Sequence, residues 1–226
     1  MGHDALIIQN QEGAAAQLVV LFHGYGANAQ DLLPVGEAVA QAFPKALVVA
    51  VNAPHASDAP GGFQWFSVHG VTEQNRQARV DEAMPSFVEC VAHWQRESGA
   101  GAQATALIGF SQGAIMALES TKLKHPPAQR VVAIAGRFAT LPEPAVFEGT
   151  VHFLHGKEDA VIAYQHTIAA AHHLRDSGVD ITAEVLPFVG HSIPVEFIDL
   201  VVHRLSTHIS YRVWTQAVQS AAPQQN

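Results

Sequence analysis

The sequence predicts an α/β fold, a mostly parallel central sheet flanked by helices. Short apolar runs alternate along the chain with longer helix-like segments. Several of these runs are apolar on successive residues, as in Leu18-Val19-Val20-Leu21-Phe22. That pattern suits strands buried on both faces, hence a parallel sheet between helical layers.

Strands are expected at residues 6–9, 18–22, 46–51, 105–109, 131–135, 151–155 and 181–186. Helices are expected at about 30–42, 72–98, 112–123, 162–177 and 194–208. The longest helix places Val80, Met84, Phe87, Val88, Val91 and Trp94 on one face. Thr72 is its expected cap, Gly99 its terminator and Pro85 the expected site of a kink. Cys90 shares the apolar face and reads as a small buried hydrophobe. The βαβ order argues for one domain, residues 1–208, followed by a tail, 209–226, whose last residues from Ala221 are expected to fray.

At 226 residues, 48% hydrophobic and 14% charged, the chain has the composition of a folded globular domain, not of a disordered or coiled-coil protein. Its twelve Lys and Arg are scattered within a net charge of −8, so nucleic acid is not an expected partner. The start lacks a cationic signal-peptide region, and no apolar run approaches the ~20 residues of a bilayer span. A soluble cytoplasmic protein with no stable membrane association is expected; oligomeric state has no sequence signature. Fourteen histidines beside one cysteine raise the question of a metal. No His-Glu-x-x-His occurs, His172 and His173 are consecutive, and His152 and His155 fall on opposite faces of a strand. No metal is expected.

The chemistry gathers at Gly109-Phe110-Ser111-Gln112-Gly113, a G-x-S-x-G pattern between an apolar run and a helix-like segment. Strand, sharp turn and helix are the context of a nucleophile elbow, and glycine on either side permits the turn. A serine hydroxyl needs a base, and the base an orienting carboxylate. Asp159 follows the run 151–155 and His191 follows 181–186, so both fall at strand carboxyl ends. Glu158 should point elsewhere, and Asp176 and Asp180 fall at the opposite edge of the sheet. An oxyanion needs two donors: the Gln112 backbone N–H, and one from His23-Gly24-Tyr25-Gly26 after the run 18–22. Tyr25 is the expected second donor and Gly24 the alternative, with His23 anchoring the loop.

Together these residues resemble the phospholipase/carboxylesterase group of α/β-hydrolases, which includes acyl-protein thioesterases. The resemblance runs from Leu18 to about Leu205, through Leu21-Phe22-His23-Gly24-Tyr25-Gly26, Gln64-Trp65-Phe66-Ser67, the serine motif, His155-Gly156-Lys157-Glu158-Asp159 and Gly190-His191. It implies the α/β-hydrolase fold and hydrolysis of small-molecule carboxylic esters, with short acyl chains favoured, without a cofactor. The chain departs from the group at Ala114, often glycine, and at Ser67, often aspartate. The connection 136–150 is too short for the large cap of lidded lipases, leaving an open site roofed by the loop 52–70. Trp65 and Phe66 are candidates for an acyl pocket wall, or else a core aromatic pair. Arg137, after the run 131–135, is a candidate to bind a substrate carboxylate or carbonyl, or else forms a local ion pair.

Overall fold

The apolar runs pair into one seven-stranded sheet in the computed structural model, which describes residues 4–11, 13–143, 147–210 and 213. In chain order the strands and helices are β1 (Ala5–Gln9), β2 (Gln17–Phe22), α1 (Leu33–Ala42), β3 (Ala46–Val51), β4 (His55–Ala56), β5 (Phe63–Gln64), α2 (Arg76–Ser98), β6 (Thr105–Phe110), α3 (Gln112–Ser120), β7 (Arg130–Ile134), β8 (Thr150–Gly156), α4 (Gln165–Asp176), β9 (Asp180–Leu186) and α5 (Val195–Thr207). The sheet order is β1-β3-β2-β6-β7-β8-β9. Only β1 runs antiparallel to its neighbour. β4 and β5 form a separate hairpin within the expected roof loop.

Successive β2 residues serve opposite layers. Leu18, Val20 and Phe22 belong to the core layer that includes α2, α3 and α4, whereas Val19 and Leu21 belong to the layer that includes α1 and α5. This two-sided burial is why the run carries no polar residue. α2 buries the anticipated stripe of Val80, Met84, Phe87, Val91 and Trp94, with Cys90 on it. Burial pushes the Cys90 thiol up to about 12, so it stays protonated and unreactive. Gly99 ends the helix in the left-handed conformation, at φ 74°.

The start of α2 corrects the sequence reading. Thr72 and Asn75 bond each other reciprocally, Thr72 N–H to Asn75 Oδ1 at 2.7 Å and Asn75 N–H to Thr72 Oγ1 at 3.3 Å. These bonds close a separate turn, and the helix begins only at Arg76. Pro85 lies inside a helix assigned without interruption.

Strand order reverses at β2. β3 lies to one side of it, and β6 to β9 extend to the other. The crevice at the carboxyl ends of β2 and β6 is therefore a topological switch point, where open α/β sheets place their sites. Among the described residues no large cap covers it, for the link between β7 and β8 is short. Among the described residues no helix is long and apolar enough to cross a membrane. Residues 211–212 and 214–226 of the expected tail lie outside the described residues.

Candidate active site

β6 delivers Ser111 to the switch point on a strained turn. Its φ is 52° and ψ is −114°, in a region that side-chain-bearing residues avoid. The Ser111 N–H donates to the Ile134 carbonyl at 2.9 Å, and its own carbonyl accepts from Ile115 N–H at 3.0 Å, binding the turn to β7 and α3. The flanking glycines are needed for space. A Cβ on Gly109 would lie 2.5 Å from Ala114 Cα. One on Gly113 would lie 2.6 Å from the Phe22 carbonyl carbon and 2.7 Å from Phe22 Cβ.

β2 cannot retreat, because it is bonded in register to both β3 and β6. Gly113→Ala should therefore cost about 1–3 kcal/mol of stability and lower activity, read from thermal melts beside ester turnover. Gly101→Ala, where nothing lies within 4 Å of the added methyl, is the control. Equal melting temperatures for the two variants would contradict this packing account.

Three sequence-predicted side chains meet here. Ser111 Oγ lies 2.9 Å from His191 Nε2, and His191 Nδ1 lies 2.7 Å from Asp159 Oδ2. A carboxylate oxygen only accepts, so Nδ1 carries the proton and Nε2 is free to accept from the serine. Asp159 Oδ1 accepts from the Val161 and Ile162 N–H groups, each at 2.8 Å. Burial opposes the charge on Asp159, but the bonds from His191, Ile162 and Val161 outweigh it and hold the carboxyl below its ordinary range. The Phe110 ring lies 5.0 Å from the His191 ring and backs it. Glu158 is exposed.

The loop after β2 lies against the serine: a Cβ on Gly24 would sit 3.1 Å from Ser111 Cβ. His23 anchors this loop, contacting the Gly24 carbonyl through Nδ1 at 2.7 Å and accepting from Ala53 N–H at Nε2, 3.1 Å. Burial lowers the His23 pKa, which suits a neutral structural ring. The Gly26 and Ala27 N–H groups donate to Phe63 and Gly24 carbonyls, which removes both as oxyanion donors. Tyr25 and its neighbour Gly24 remain on this side. On the other, Gln112 opens α3, whose first-turn N–H groups have no partner within the helix.

Sequence reasoning used only the Gln112 backbone. Its side chain also acts: Oε1 accepts from Trp65 N–H and Nε2 donates to the Phe66 carbonyl, both at 2.8 Å. The amide thereby ties the 63–67 segment to the elbow, a link between residues 46 and 47 positions apart with no local signature. Trp65 packs edge-on to Phe87, ring centroids 5.1 Å apart, inside the main core. Its ring is thus part of the core, and Trp65 and Phe66 also line a cavity beside Ser67 and Arg79. Phe66 is buried beside Trp65. Ser67, where the group often has aspartate, bonds the Asp58 carboxylate.

Arg137 is held on several sides. It donates to Glu73 Oε1 and Oε2 at 3.0 and 2.8 Å and to the Phe138 carbonyl at 3.0 Å, and lies 3.1 Å from His166 Nε2. The Arg137 and Arg76 guanidinium groups bring the Glu73 carboxyl down to about 2. The geometry favours the local ion pair over an open anion site. Among the described residues no cluster of three or more His, Cys, Asp or Glu is arranged to hold a metal ion. Several histidines instead bond within the fold, as His23, His152 and His155 do.

A family profile described as Phospholipase/Carboxylesterase matches residues 3–209. The chain belongs to this family. Among relatives of the phospholipase/carboxylesterase family, it is 45% identical over 223 residues to the esterase YpfH of Escherichia coli (strain K12), covering 99% of this chain and 96% of that protein. It is 26% identical over 170 residues to acyl-protein thioesterase 1 of Neurospora crassa, covering 70% and 69%. The crystal structure of esterase PE8 superposes with a TM-score of 0.80 at 30% identity, covering 90% of this chain and 96% of that one. The Bacillus cereus carboxylesterase, at 17% identity and a TM-score of 0.73, shares the fold, over 89% and 92% of the two chains.

Proposed function

We propose that this member of the phospholipase/carboxylesterase family is a serine hydrolase of small-molecule carboxylic esters with short acyl groups, acting through an acyl-enzyme. The observation that carries the proposal is the single imidazole of His191 between Ser111 Oγ and Asp159 Oδ2, at 2.9 and 2.7 Å.

In the proposed cycle Ser111 Oγ attacks the ester carbonyl as its proton passes to His191 Nε2. Asp159 orients the ring and stabilises its charged form. The Tyr25 and Gln112 N–H groups bind the oxyanion, and each such donor is worth about 2.7–4 kcal/mol of barrier. Collapse breaks the ester C–O bond, and the alcohol leaves with the proton from His191. Water then attacks the acyl-enzyme, gives a proton to His191, and the acid departs as that proton returns to Ser111. Thioesters would follow the same course with a thiol leaving, and the fungal thioesterase relative supports that second reading.

A fluorophosphonate probe and a panel of p-nitrophenyl acetate, butyrate, octanoate and palmitate test the proposal. We expect stoichiometric labelling of the wild type, none of Ser111→Ala, and kcat/KM highest for the shorter esters. Absence of labelling would defeat the serine mechanism, and a maximum at palmitate would favour lysophospholipase or thioesterase action. Arg137→Ala should affect neutral and anionic esters alike. A KM increase confined to anionic esters would restore a substrate-binding role for Arg137.

A further inference from the structure

We propose that His155 is a positioning residue of the site, whose Nε2–H holds the Asp159 loop and shares its proton with the carboxylate that orients His191. The inference rests on the triad reading above. His155 is the penultimate residue of β8 and is fully buried. Its Nε2 lies 2.8 Å from the Ile162 carbonyl and, at a longer reach, 3.3 Å from Asp159 Oδ2. Its Nδ1 lies 2.8 Å from Thr167 Oγ1 on α4.

These contacts decide the tautomer. Ile162 O and Asp159 Oδ2 only accept, so the Nε2 they face carries the hydrogen. In a neutral ring Nδ1 is then an acceptor, and the Thr167 hydroxyl donates to it. Burial lowers the pKa of His155, in keeping with a neutral ring.

The result is a closed set of bonds around the acid. The backbone of Ile162 is held on both sides, its N–H by Asp159 Oδ1 and its carbonyl by His155. Asp159 Oδ2 meets two imidazoles, His191 at 2.7 Å and His155 at 3.3 Å. His155 does not touch Ser111's substrate position in this account and so acts through Asp159. The other titratable or charged groups around it are His191 and His166, with Arg137, Glu73 and Arg76 beyond His166.

Electron demand gives the sign. A proton shared with Asp159 draws charge from the carboxylate and weakens its hold on a protonated His191. Without it, the carboxylate holds that proton more tightly, and the base is lost at a higher pH. His155→Leu should therefore lower kcat about 10- to 100-fold, the scale of a misplaced catalytic group, with KM little changed. The acid limb of kcat/KM should also move to higher pH. His155→Gln places an amide N–H near the Nε2 position and should recover most of kcat and the original limb.

Ring ¹⁵N chemical shifts should show His155 protonated at Nε2. An Nδ1–H tautomer would overturn the proposal without any variant, including where His155→Leu does not fold. Unchanged kcat and acid limb in folded His155→Leu would also overturn it. Ser111→Ala, measured alongside, tests the triad reading separately. Full activity in Ser111→Ala removes that reading, whereas an inactive Ser111→Ala beside an unaffected His155→Leu removes only the role of His155.

Discussion

Replacing Ser111 with alanine is expected to lower kcat on p-nitrophenyl acetate by about 10³–10⁶-fold, equivalent to roughly 4–8 kcal/mol of barrier, and to leave the fold intact. The loss is large because the proposed acyl-enzyme forms on Ser111 Oγ, which alanine lacks. It is finite because the Tyr25 and Gln112 donors and the binding surface would remain to assist direct attack by water. Stability should change little for two reasons. Alanine at φ 52° meets the same Cβ strain as serine, so neither state gains from relaxation there. The His191 side chain is 18% exposed, so water can replace the hydroxyl at Nε2. Matched thermal melts and kinetics check both halves. Retention of most activity by a folded Ser111→Ala protein would end the serine mechanism.

The parts legible in the sequence share one property: each is local. The apolar runs report burial on both faces, and the structure extends most of them by only one residue at an end, as with 105–109 becoming Thr105–Phe110. Ser111, Asp159 and His191 were legible because each follows a strand and the parallel sheet sends those strand ends to one edge. What was not legible is contact between distant segments. Nothing near Arg137 announces Glu73, 64 positions away, and nothing near Gln112 announces Trp65. In the sequence His155 is one of two strand histidines, with His152, on opposite faces. Its contact with Asp159 depends on how the chain turns back after β8, which spacing does not encode. Phe188 shows the same limit: it is 87% exposed at φ 62°, three residues before His191, in a conformation no sequence rule assigns to phenylalanine.

The buried histidines, which the composition brought forward as a metal question, lead instead to a strong expected dependence of stability on acid. His152 on β8 is fully buried, with Nδ1 2.9 Å from Thr182 Oγ1 and its ring 5.0 Å from that of His208. Burial, then the His208, Arg130 and Arg204 groups nearby, bring its pKa down to about 3, against the attraction of Asp180. An unfolded chain returns it to about 6.5. Above that pH the ring is neutral in both states and contributes no pH dependence. Below it the unfolded chain binds a proton that the folded protein refuses, so stability falls by up to about 1.4 kcal/mol per pH unit until the folded value is reached. His152 alone should remove about 2 kcal/mol between pH 6.5 and 5, or about 4–8 °C of melting temperature for a chain of this size. The lowered pKa values of His23 and His155 act in the same direction over this range, whereas Asp159, held below its ordinary 3.8, is ionised in both states there and adds its loss only at lower pH. The effects therefore reinforce one another. Melts at pH 7.5, 6 and 5 should show an accelerating decline, and His152→Asn, which keeps a polar partner for Thr182 without a titrating ring, should be less stable at pH 7.5 but flatter toward pH 5. A wild-type melting temperature unchanged between pH 7.5 and 5 would show that the His152 ring is protonated in the fold as readily as in the unfolded chain.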